Sequence, residues 1–438
     1  MIIEQHYDDE VLIGLLGEAE KDTHVPACGT CSDTLQSYRT LSSALHDTSV
    51  WDERELPETP SPKTANFIRS FVERSRAEDA AAAPIAAALI ADPSAIDAHP
   101  EWRTAGVVRG LLKFVDSINF SDPKRAVEIS TLAAAIAESL AAAAYASDVV
   151  RKLCALACRE KAWALYFVGA FPESARALDR ADEHLAGCSL SECDRAEIDL
   201  VRARLDRDLE RFDDAVTLAR RSASVFRSYG NHRRAAVAEF IESTVLVHLR
   251  RFEEALAIDT RMSADASLDE ESRVCALNRT AYSLRELSRY EEAKQRYAQT
   301  IEAFGRLGLT EKRAMARWGF ARVLVDQGNF LPAVSLLTEL RTELRELGMS
   351  HDVALVSLDA AEALLGLQRA GEIAQLCREA IEYFSKAGLA YSSSAMTALA
   401  YLREAAEIGS LTPAAVNHVR TYFQLLPKQP HLLFAFPA

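Results

Sequence analysis

No uninterrupted apolar run in this sequence approaches the roughly 18 to 20 residues that a membrane span requires. The stretch Met1 to Glu10 carries acids where a secretory leader would carry lysine or arginine. Both absences predict a soluble, cytoplasmic chain with no membrane partner. Cationic side chains are in deficit: 50 lysines and arginines face 64 aspartates and glutamates, for a net charge of −14. That balance opposes direct binding of nucleic-acid phosphates. Cysteine is sparse, 8 spread over 438 residues, which excludes the dense disulfide framework of a small secreted domain. With only 17 glycines, little interrupts helix formation, and no phosphate-cradling glycine loop, G-x-S-x-G elbow or H-E-x-x-H motif occurs. The expectation is a protein without catalytic residues. With 49% hydrophobic residues the chain has ample material for a folded, all-α core.

What the sequence does contain is a repeat. An aromatic residue, two mostly polar or proline positions and a small residue recur at Phe171–Ser174, Phe212–Ala215, Phe252–Ala255, Tyr290–Ala293 and Phe330–Ala333. The aromatic positions are spaced by 41, 40, 38 and 40. Twelve positions before each small residue stands another: Ala162, Ala203, Ser243, Ala281 and Ala321. A weaker unit pairs Ala361 with Ile373-Ala374, with Ala370 in the aromatic place, and an irregular earlier one turns at Phe120-Ser121-Asp122-Pro123 before a helix over Ala126 to Ala146. Two small side chains held in step let two antiparallel helices approach closely, and the pattern predicts that each aromatic closes the first helix of its hairpin. These features, with Leu277, Ala281, Tyr290, Ala293 and Tyr297 in the cleanest unit, resemble the tetratricopeptide repeat family, whose usual period is about 34. The longer period here implies longer helices or longer links. The resemblance implies stacked hairpins over 96–425, an α-solenoid whose groove binds a peptide or protein.

Ahead of the repeats, residues 51–65 hold Pro57, Pro60 and Pro62 among acids and threonines and read as a linker. Phe67, Ile68, Phe71 and Val72 then fall at helical spacing, opening an amphipathic, alanine-rich segment over 66–95. After Pro427 comes an apolar tail, His431 to Phe436, expected to pack on the last hairpin, with a partner-binding peptide as the other reading.

The sharpest local signal is His24-Val25-Pro26-Ala27-Cys28-Gly29-Thr30-Cys31, an H-x3-C-x2-C pattern within a zinc-binding domain over 1–50. Two sulfurs and an imidazole at this spacing can close on one tetrahedral ion, and soft sulfur favours Zn2+ over magnesium or calcium. His6 is the best-placed fourth ligand and His46 the next. A C-x-x-C without metal, incidental or redox-active, is the competing reading. Cys154, Cys158, Cys188 and Cys193 have no histidine at ligand spacing and read as incidental thiols. Residues 4–46 resemble the zinc-containing anti-sigma factor family of bacteria: His6, the acidic and leucine-bearing Asp8 to Leu16, His24, Cys28, Cys31 and a helix over Leu35 to Leu45 match its order. The resemblance implies His6, His24, Cys28 and Cys31 as zinc ligands and a sigma factor as partner. It places a clamping arm at Phe67, Ile68, Phe71 and Val72. Some members release their partner on thiol oxidation. A protein-binding scaffold with a merely structural zinc is the alternative.

Overall fold

The computed structural model describes residues 7, 11–12, 23–46, 62–141, 144–387, 391–426, 429 and 431–436, with backbone alone at 37, 40–46, 62–65, 67, 68, 71 and 387. Among these residues the fold is all-α, with 18 helices and no strand. No described helix is long and apolar enough to cross a membrane. The chain divides into two units, Met1–Asn231 and His232–Ala438. The first holds α1 (Gly29–His46), α2 (Pro62–Ala91), α3 (Ala105–Ile118), α4 (Pro123–Glu138), α5 (Ser147–Val168), α6 (Phe171–Leu185), α7 (Glu192–Asp208) and α8 (Phe212–Ser228). The second holds α9 (His232–His248), α10 (Phe252–Ala264), α11 (Glu270–Glu286), α12 (Tyr290–Arg306), α13 (Thr310–Asp326), α14 (Phe330–Glu346), α15 (Ser350–Gly366), α16 (Ala370–Ala387), α17 (Ser392–Glu407) and α18 (Pro413–Leu425).

The repeat aromatics prove to open the second helix of each hairpin rather than close the first. The reason lies in how the first helix stops. Two positions before each aromatic the backbone turns left-handed, at Gly169 (φ 81°), Glu210 (60°), Arg250 (57°), Ser288 (60°) and Gly328 (73°). At the second of these turns Arg211 N–H donates to the Asp206 carbonyl at 2.8 Å and Glu210 N–H to the Arg207 carbonyl at 3.1 Å. These two bonds satisfy carbonyls that the helix end would leave open. The polar pair after the aromatic then falls in the first turn of the new helix. There Asp213 and Asp214, Glu253 and Glu254, and Glu291 and Glu292 oppose the positive end of the helix dipole.

The paired small residues sit where the helices cross. Ala162, Ser174, Ala203, Ala215, Ser243, Ala255, Ala281, Ala293, Ala321 and Ala333 are all fully buried. The Ser174 hydroxyl reaches the Ala162 carbonyl on the facing helix at 2.7 Å, which measures how near the backbones lie. Helices α11 to α15 are each 17 residues long with three-residue joints, so the period of 40 comes from longer helices.

Helix α4 stops at Glu138, short of the Ala146 expected. The Ser139 amide and hydroxyl both turn back to the Ile136 carbonyl, at 3.0 and 2.8 Å, a local arrangement that competes with continuing the helix. Helix α2 begins at Pro62, inside the stretch read as linker, and proline suits a first helical position because its missing N–H would have had no partner. It packs on α3 at Glu78 and Ala82: Gly106 lies so near that a Cβ there would stand 2.9 Å from the Glu78 carbonyl oxygen and 3.0 Å from Ala82 Cβ. The C-terminal tail lies on α17 and α18. Tyr422 donates its hydroxyl to the Leu432 carbonyl at 2.7 Å, and the Phe434 ring packs against Tyr401, His418 and Tyr422.

Candidate metal centre and binding cleft

Among the described residues, each unit holds one candidate site where side chains that could bind a ligand converge. In the first, His24 leads into a turn over Val25–Ala27 that Pro26 helps to set, and the Cys28 amide returns to the His24 carbonyl at 2.9 Å. That turn folds the imidazole back over the start of α1, which carries Cys31 one position short of a full turn beyond Cys28. The His24, Cys28 and Cys31 donor atoms all lie within 4.8 Å of one another, with His24 Nε2 3.4 Å from Cys31 Sγ. A tetrahedral zinc with bonds of 2.0 to 2.3 Å puts its ligand atoms about 3.3 to 3.8 Å apart, so the group needs only a small closure to hold a metal ion. Cys28 and Cys31 are buried with Leu12, Val25 and Leu35, and Tyr7 and Tyr38 pack on this small core. The Tyr7 amide donates to Cys31 Sγ at 3.3 Å, the kind of outer contact that stabilises a thiolate ligand. His6 lies outside the described residues, as does the His46 side chain. Tyr7, its neighbour in sequence, is against the site.

The second place is a cleft of about 530 Å3 in the C-terminal unit. Its walls come from the first helices of successive hairpins, α9, α11, α13 and α15, closed by α18. Val247, Tyr282, Tyr297, Met315, Trp318 and Leu355 supply the apolar surface. Gly319 makes room for Tyr297, since a Cβ at 319 would sit 2.4 Å from that ring. Four arginines also line it: Arg279, Arg285, Arg322 and Arg420.

Every one of these arginines is already held. Arg279 bonds Asp259 at 2.6 Å, and Asp259 also accepts from the Ser243 hydroxyl at 2.6 Å. Arg285 meets Asp326 at 2.7 Å, and Arg322 meets Asp359 at 2.9 Å and Glu362 at 2.7 Å. Arg420, from the last helix, reaches back to the same Asp359 at 3.0 Å and to Glu362 at 2.5 Å. Trp318 Nε1 donates to Asp359 at 2.6 Å. Burial works against the Arg322 charge, yet Asp359 and Glu362 hold it above the usual arginine range. Burial likewise opposes the Glu362 charge, and Arg322 and Arg420 together keep its carboxyl below the usual carboxylate range. At Asp259 burial wins, and the carboxyl is pushed up despite Arg279 and Ser243. Two polar atoms of the lining lack a hydrogen-bond partner among the described residues: the acceptor Asn278 Oδ1 and the donor Arg420 Nε.

Of the expected clamping arm, only Val72 has a described side chain, and it is exposed. Phe67, Ile68 and Phe71 lie on the N-terminal part of α2. The cleft residues were not identified from sequence. A signal existed: counted from the small residue of each first helix, lining positions recur three back and one ahead, as at Asn278 and Tyr282 around Ala281 and at Trp318 and Arg322 around Ala321.

No protein-family model matches the sequence, and no curated protein matches it. Solved structures do. Aspartyl phosphate phosphatase F from Bacillus subtilis superposes with a TM-score of 0.51 at 12% identity, over 82% of this chain and 97% of that one. The likeness is one of fold. A Pyrococcus horikoshii signal transduction ATPase with numerous domains, bearing a tetratricopeptide repeat sensor, gives 0.50 at 12% identity over 72% of this chain and 54% of that one. The apo form of RapI gives 0.48 at 16% identity over 62% and 96%. The hairpins of this chain are thus tetratricopeptide-like helical repeats.

Proposed function

We propose that this chain is a non-catalytic, protein-binding regulator that takes an extended peptide segment into the cleft of its C-terminal unit. The observation that carries the reading is the cleft itself. It falls within the ~300–1,000 Å3 of typical ligand sites and is mostly apolar. The test is capture from host lysate by the intact chain and by Met315→Glu. Met315 is 38% exposed and lines the cleft, so the fold tolerates the change while cleft-bound partners are lost. Partners identical for both proteins would rule the cleft out.

The N-terminal region supports a finer role. The His24, Cys28 and Cys31 group, with both cysteines buried and Tyr7 donating to Cys31, fits a structural zinc whose fourth ligand is His6. We read residues 1–77 as the zinc-bearing, anti-sigma-like portion, with Phe67, Ile68, Phe71 and Val72 as the arm that grips a sigma factor. Zinc would here hold the short segment together and present that arm. The scaffold reading, in which the metal is only structural, needs the cleft alone. Removing residues 1–77 separates the two: loss of sigma-factor capture supports the regulator, and unchanged capture leaves the scaffold.

A further inference from the structure

An arginine-lined cleft invites an acidic ligand. The ion pairs here argue the opposite. Resting on the cleft reading above, we infer that the C-terminal cleft selects an uncharged, apolar peptide segment and rejects one carrying aspartate, glutamate or phosphate. The four arginines of the lining face four carboxylates of the same unit, Asp259, Asp326, Asp359 and Glu362, at 2.5 to 3.0 Å. Their charges cancel. Two of the carboxylates are buried, Asp259 fully and Asp359 with 4% of its side chain exposed. Each guanidinium charge is already matched by an internal carboxylate, so a ligand carboxylate would have to compete with one of these. Where that carboxylate is Asp259 or Asp359, it would then stand buried and unpaired, which is among the costliest arrangements in a protein interior. The chain's net charge of −14 adds no steering of anions toward the site.

A basic ligand fares no better, because each internal carboxylate already has its cation. What remains for a ligand is the apolar wall of Val247, Tyr282, Met315, Trp318 and Leu355. The arginines act as positioning residues, fixing the walls through carboxylates on neighbouring helices, and reject charge without binding it.

The test is affinity selection by the intact protein from an equimolar pool of N-acetylated, C-amidated hexapeptides. One third of the pool is uncharged, one third carries a single glutamate and one third a single lysine, and mass spectrometry reads the retained fraction. The expected result is retention of uncharged, apolar sequences at least tenfold over both charged sets, abolished by Met315→Glu. It should change little between low and high salt, since no ionic contact to the ligand is made. Enrichment of the glutamate set, falling with added salt, would overturn this inference while leaving the cleft as a binding site. Equal retention of all three sets, still lost in Met315→Glu, would also overturn it. Retention of no peptide by a protein of native helicity would overturn the cleft reading and this inference with it.

Discussion

Asp259 and Arg279 form the most buried ion pair of the cleft, and removing either alone has a different consequence from removing both. Asp259 is fully buried on α10, and its carboxylate receives two bonds from Arg279, at 2.6 and 2.9 Å, and one from Ser243. Arg279→Met keeps the aliphatic stem and removes the charge, leaving a buried carboxylate with only a hydroxyl. Breaking such a pair costs about 3 to 5 kcal/mol. For a unit of this size each kcal/mol moves the melting midpoint by about 2 to 4 °C, so the single change should lower it by about 6 to 20 °C. Burial holds the Asp259 carboxyl above its usual range despite Arg279, and replacing a buried ion pair by apolar residues of similar volume is often neutral or stabilising. Asp259→Leu combined with Arg279→Met should therefore restore most of the loss. The sign with pH follows: a carboxyl whose folded value is raised binds more protons folded than unfolded, so its contribution is full below its unfolded value and is lost as pH rises through the folded one. Thermal melts of the two single variants and the double variant, read by circular dichroism at 222 nm, check all of this. Additive losses, with the double variant the least stable, would refute the reasoning.

Ser288 is left-handed at φ 60° where the equivalent turn elsewhere uses Gly328, so Ser288→Gly should stabilise by roughly 0.5 to 1 kcal/mol, read in urea midpoints. Gly366→Ala would place a Cβ 2.4 Å from the Phe330 ring and should cost about 1 to 3 kcal/mol in the same assay, against an alanine elsewhere in a helix interior that would gain about 1. Burial pushes the Cys154 thiol up to about 11 and the Cys377 thiol up to about 12. Both should resist iodoacetamide at pH 7.5 in the folded chain and react after unfolding, as peptide mapping would show. Cys31→Ser should remove bound zinc, counted by elemental analysis, from one per chain to near none.

How much of this was legible in the sequence differs by level. The hairpins were, because Ala281 with Ala293 and Ala321 with Ala333 must recur twelve apart wherever two backbones cross closely. The side of the turn on which Phe212 or Tyr290 falls was not. It is set by a left-handed residue, and that residue is glutamate, arginine or serine as often as glycine, so composition gives no warning. The end of α4 at Glu138 rests on a serine bonding its own helix, again without a breaker residue. The metal group was legible because H-x3-C-x2-C fixes three donors within one turn and the start of a helix. The cleft was hidden for the opposite reason: Asn278, Trp318, Leu355 and Arg420 meet only after hairpins stack, and Arg420 crosses about sixty positions of sequence to reach Asp359 and Glu362.

The most direct test of the regulator reading is capture from host lysate by the intact chain, zinc-loaded and after chelation, with identification of what is retained and a count of the metal. A sigma factor retained with one zinc per chain and lost on chelation, while Met315→Glu still retains it, is the outcome expected. A sigma factor absent from both captures, with every partner insensitive to zinc, would contradict the regulator and leave a repeat protein that works through its cleft alone.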